Sequence, residues 1–120
     1  MTEITVDVWL YGALARYGGA EAASSFAHLQ VPLAEGSTLG DLLAHLTLPT
    51  AERGITFING QLSALPGLQP DLPHPLGDGM RVGLFDLKSM WPFQYRHGAM
   101  MIPELSRALG EQELRHAFTS

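Results

Sequence analysis

The sequence predicts an α+β fold in which a mixed sheet packs on one central helix. Three observations carry this expectation: the strand-period alternation of ITVDVWLYG near the N-terminus, the capped leucine stripe of STLGDLLAHL in the middle, and two later strand patterns set off by turn residues. At 120 residues the chain has the length of one domain. Residues 1–86 form the predicted body, and residues 87–120 form a C-terminal aromatic and helical extension.

Each element follows from its residues. Ile4, Val6, Val8 and Leu10 alternate with Thr5, Asp7, Trp9 and Tyr11, the period-two pattern of a half-buried strand. ALARYGGAEAASS opens with a short helical turn and then dissolves into Gly, Ala and Ser, which predicts a loop. FAHLQVPL is the partner strand, with Phe26, His28 and Gln30 on one side and Ala27, Leu29 and Val31 on the other. In EGSTLGDLLAHLTLP, Thr38 caps a helix with Asp41 as the reciprocal acid; Leu39, Leu42, Leu43 and Leu46 make one apolar stripe, and Pro49 is expected to end it. ITFINGQLSAL reads as two strands around Asn59-Gly60, the pair that best tolerates a type I′ turn. The proline-rich stretch LPGLQPDLPHPLGDG then connects short strands. Its Gly77-Asp78-Gly79 turn leads into a last strand, Arg81 to Phe85, while Asp71, Asp78 and Asp86 are expected to serve turn geometry.

A helix between two hairpin-like halves is the β-grasp, ubiquitin-like plan. In VDVWLYGALARYGG, EGSTLGDLLAHL, FING and LGDGMRVGLF, in that order and spacing, the chain from Ile4 to Phe85 resembles the MoaD/ThiS family of sulfur-carrier proteins. The resemblance implies links to molybdopterin or thiamine biosynthesis and an adenylating or cofactor-synthesis enzyme as partner. Carriers of this family end in Gly-Gly, whose terminal carboxylate becomes a thiocarboxylate on a tail thin enough to thread into an active site. This chain ends in AFTS, so the resemblance implies a scaffold without direct carrier chemistry. The alternative is a carrier released by proteolysis, with Gly98 as the processed terminus.

Composition excludes several classes. Residues 1–80 hold eight acids against Arg16 and Arg53, whereas residues 81–120 hold four acids against five bases. An acidic body does not suit nucleic acid and suits a positively charged protein partner. The absence of cysteine removes thiolate nucleophiles and thiolate metal sites. No long apolar run predicts a membrane span, and MTEITVDVWLYG has neither the basic start nor the cleavage site of a leader, so a cytoplasmic location is expected. His28, His45, His74, His97 and His116 show no metal-ligand spacing, the serines lack a nucleophile elbow, and no phosphate-binding loop occurs. The expectation is a non-catalytic protein with no metal and no cofactor.

The extension carries the candidate partner-binding residues. Met90, Trp91, Phe93, Tyr95, Met100 and Met101 supply more apolar area than one edge strand needs, and Arg96 with His97 adds a cluster able to hold a carboxylate. Aromatic residues, Met and Arg are the types enriched at interface centres, so the segment is expected to dock another protein or a second copy, to pack back over its own sheet, or to do both. Pro103 is placed to open a helix whose Ile102, Leu105 and Leu109 form an apolar stripe. The function expected from residues and resemblance together is an accessory, protein-binding module.

Overall fold

A computed structural model describes residues 2–21, 26–88 and 100–110. Five strands, β1 (Glu3–Tyr11), β2 (Phe26–Ala34), β3 (Arg53–Ile58), β4 (Gln61–Ala64) and β5 (Arg81–Asp86), form one mixed sheet in the order β2-β1-β5-β3-β4. Among these five strands only the β1–β5 pair is parallel. Helix α1 (Leu39–Leu46) lies between β2 and β3 in the chain, and a second helix, α2, covers residues 103–110. The fold is α+β. Among the described residues no helix is long and apolar enough to cross a membrane.

The alternation in the first strand sorts residues to two faces as the sequence requires. Ile4, Val6, Val8 and Leu10 are buried and pack with Ala27, Val31, Leu33, Val82, Leu84 and Ile58 beneath the four leucines of α1. Thr38 and Asp41 form the reciprocal cap. Two further amides of the first turn are met by the proline-rich connector: Leu39 donates to the His74 carbonyl at 3.0 Å and Gly40 to that of Leu72 at 2.9 Å. Pro49 does not end the helix. Thr47 does so, by taking a left-handed conformation (φ 55°) that lets the Leu48 amide reach back to the Leu43 carbonyl at 2.9 Å.

The stretch after β1 is more ordered than its Gly, Ala and Ser content suggests. Gly12–Glu21 is a 3-10 helical run kinked at Gly19; Leu14 and Ala15 are drawn into the core, and Asp86 accepts the Ala13 amide at 2.7 Å. The hairpin at Asn59-Gly60 has positive φ at both residues, as a type I′ turn demands.

The second face of the sheet is divided. Over β3 and β4, α2 and the residue before it cover Ile55 and Leu62 with Ile102 and Leu105, while Phe57, Leu65, Leu68, Met101 and Leu109 pack around them. Backbone bonds fix the junction: the Leu62 amide donates to the Met100 carbonyl at 2.7 Å, and the Ile102 amide to the Leu62 carbonyl at 3.1 Å. The open edge of β4 is thereby paired. His74 Nδ1 and Glu104 add a 2.5 Å contact between the connector and α2.

One polar network lies wholly inside. Arg53 grips Asp71 through both terminal nitrogens, at 2.8 and 2.6 Å, and Ser63 donates to the same carboxylate at 2.7 Å. Arg53, Ser63, Thr56 and Asp71 are all fully buried. Asp71 is therefore not a turn acid. It ties the long connector to β3 and β4 through a bidentate ion pair. Asp78 does serve its turn, accepting the Thr5 amide at 2.8 Å.

Candidate functional site

The half of the second face made by β2, β1 and β5 carries a row of aromatic side chains at the positions where alternation places solvent-side residues. Register aligns Trp9 with His28 on β2 and with Gly83 on β5, and Tyr11 with Phe26. Phe57 on β3 is also opposite Gly83. The rings pack across strands. Trp9 stacks on His28 with centroids 3.9 Å apart and planes 11° from parallel; Tyr11 stacks on Phe85 at 4.5 Å and 13°. Trp9 also lies 6.0 Å from Phe26 and 6.3 Å from Tyr11, and Phe57 meets Phe85 edge to face.

Asp7 organises one end of this row. Its carboxylate receives Gln30 Nε2 at 2.7 Å and Trp9 Nε1 at 3.3 Å, is paired with His28 Nε2, and lies 3.8 Å from Arg81 Nε. Burial pushes the Asp7 carboxyl up, but the hydrogen bonds from His28 and Trp9 and the pull of His28 and Arg81 outweigh it and hold it below the usual range. The Arg81 side chain remains 79% exposed, so it presents its guanidinium to solvent beside the rings. Between them lies a cleft of about 530 Å³ bordered by Asp7, Trp9, Tyr11, Phe57, Arg81 and Gly83. Ring faces and edges with a few polar anchors suit the recognition of another molecule's apolar surface.

Of the residues predicted from sequence as partner-binding, Met90, Trp91, Phe93, Tyr95, Arg96 and His97 lie outside the described residues, as does the candidate terminus Gly98. Met100 is 70% exposed, whereas its neighbour Met101 is half-buried against the α2 cluster. The aromatic row was not among the residues singled out from sequence. Its signal is present in the β1 alternation, where Trp9 and Tyr11 occupy polar-side positions. No group of three His, Cys, Asp or Glu side chains able to hold a metal occurs among the described residues. No family model matches the chain, and no curated protein matches it.

Proposed function

We propose that this chain is a β-grasp protein-binding module of the MoaD/ThiS kind, and that the aromatic half of its sheet is the surface on which another protein docks. The observation that carries the docking surface is the row of Phe26, Trp9 and Tyr11 on the solvent side of β2 and β1, with Phe26 41% exposed. A strand pair needs no such rings on its wet face for its own core. Clustered aromatic side chains edged by Arg are the usual composition of an interface centre. The β-grasp assignment is supported by the placement of α1 between the β1–β2 and β3–β4 hairpins and by the parallel pairing of β1 with β5. The role that follows is that of an accessory subunit or regulator; its link to molybdenum or tungsten cofactor enzymes, or to sulfur transfer, rests on the resemblance alone.

The test compares partner capture from cells that make the protein, using the full chain and its Trp9→Ala variant. The docking reading expects one protein recovered near stoichiometrically with the full chain and reduced about tenfold or more by Trp9→Ala, the loss typical of a hot-spot aromatic. Equal recovery by both chains, with the variant folded by circular dichroism, overturns it.

A further inference from the structure

The sheet has two edges, and the fold closes one of them: β4 is bonded through Leu62 to Met100 and Ile102. The other edge is β2, and the direction of its backbone groups follows from β1. The Thr5 amide donates to Asp78, the Thr5 carbonyl accepts from Gly79, and the Asp7 amide donates to Met80, so the odd-numbered residues of β1 turn their backbone toward β5. The even-numbered ones therefore bond β2, and register gives them Ala27, Leu29, Val31 and Leu33 as partners. Phe26, His28, Gln30 and Pro32 are left with backbone groups that point out of the sheet. Two observations agree with this. Pro32, which has no amide to bond, falls at an outward position, and Trp9 with His28 shows the close side-chain approach of a non-hydrogen-bonded pair, the rings 3.9 Å apart.

Among the described residues nothing bonds the outward amides and carbonyls of Phe26, His28 and Gln30. The 3-10 run Gly12–Glu21 reaches β2 from the core side, where Gly18 lies against Ala27 and Leu29. A bare strand edge is a template for another strand, and proteins ordinarily blunt it with charge, proline, a bulge or shortness. β2 is nine residues long, its pairing with β1 runs without a bulge, and FAHLQVPLA holds no Asp, Glu, Lys or Arg. Its one guard is Pro32, so residues 26–31 are unguarded. The lack of charge also bears on the occupant. A two-fold axis through an antiparallel pair sets a strand against itself, so that a charge on it meets its own kind, whereas a strand from another protein imposes no such neutrality. The chain has a net charge of −5, yet this strand carries none of it, and His28 is paired with Asp7 of its own chain. Either side of His28 the edge offers one donor and one acceptor at every second residue, the pattern that an identical antiparallel strand matches.

We infer that two copies of this chain pair antiparallel through residues 26–31 of β2, making one continuous sheet in which the Gln30 amide and carbonyl are bonded to the facing strand of the other copy. This stands apart from the docking reading above, since it uses the backbone of β2 and not the ring faces. The test is sedimentation velocity of the full chain from about 10 µM to about 1 mM, with amide hydrogen exchange measured at both ends of the range. A species of twice the mass of one chain is expected to accumulate with concentration. The Phe26, His28 and Gln30 amides should become protected with it, while those of Ala27, Leu29 and Val31 are protected throughout. Gln30→Pro removes an outward amide and no β1–β2 backbone bond, and it should weaken the dimer about tenfold or more. Should proline disturb the fold, the exchange pattern of the unaltered chain decides alone. A monomer over the whole range overturns the inference, whether its outward amides exchange freely, as on an edge kept for another protein's strand, or are protected at every concentration, as under a segment of the same chain. A dimer whose outward amides stay unprotected, or one that Gln30→Pro leaves unchanged, overturns it too, because another face would then hold the copies together.

Discussion

Replacing Gly83 by alanine should make the protein more stable. The unfolded chain gives up the extra freedom of glycine, a gain of about 0.4 to 1 kcal/mol where the native backbone suits an L-residue. On the folded side the nearest atom to the new methyl among the described residues is Tyr11 Cε2, at the ordinary contact distance of 3.9 Å, so no repacking penalty from them opposes that gain. A net stabilisation of about 0.5 to 1 kcal/mol follows, or about 2 to 5 °C in Tm for a domain of this size. Urea unfolding followed by tryptophan fluorescence measures it, with an unchanged slope required so that the midpoint reports stability alone. A variant less stable than the parent by about 0.5 kcal/mol or more would show that the space above Gly83 is already used and would refute this reasoning.

Asp71→Ala should cost about 3 to 5 kcal/mol, because it strands the buried Arg53 charge; replacing both partners together, Arg53→Met with Asp71→Leu, should recover most of that loss in the same unfolding assay. Leu105→Ala should cost about 2 to 5 kcal/mol if α2 is core, as its full burial beside Leu62 requires, and hydrogen exchange at Leu62 and Ile102 should rise with it. Burial pushes the Glu104 carboxyl up, but the His74 hydrogen bond, the bond to its own backbone amide and the nearby His74 and Arg107 charges hold it below its ordinary value of 4.5. The unfolded chain then binds the proton more tightly, so this stabilisation is complete above about pH 4.5 and is lost as pH falls through the lower native value. Glu104→Gln should flatten that part of the acid limb, which a urea series from pH 6 to 3 would reveal.

The elements legible in sequence are those written in local chemistry. β1 is specified by strict alternation, α1 by a reciprocal cap and four leucines, and the β3–β4 turn by a dipeptide that accepts positive φ at both residues. The end of α1 was less legible, because a threonine occupies a conformation usually given to glycine and Pro49 lies beyond it. The Arg53–Asp71 pair was invisible for a different reason. Its partners are 18 residues apart and look like ordinary surface charges until a folded connector brings them together. The candidate cleft is partly legible, since Trp9 and Tyr11 break the polar side of their strand. The place of Gly83 between Trp9 and Phe57 is not, since only strand register brings the three together.

The placement of β5 has a consequence for how the molecule comes together. It is the last of the described strands in sequence yet the middle one in the sheet, bonded to β1 on one side and β3 on the other. Until residues 81–86 arrive, no strand pairing among the described residues joins the β1–β2 hairpin to the β3–β4 hairpin; the two halves share apolar contacts beneath α1 and the contacts of Arg16 and Tyr17 with Glu52. Isolated hairpins are marginal in water, so neither half has an independent route to stability. Closing the sheet joins Asp7 to Arg81 and Leu10 to Leu84 in one step, which makes assembly cooperative and slow, in the milliseconds-to-seconds range of domains dominated by distant pairings. A chain interrupted before Arg81 would therefore expose two unmatched strand edges, those of β1 and β3, and would be prone to pair with its own copies instead.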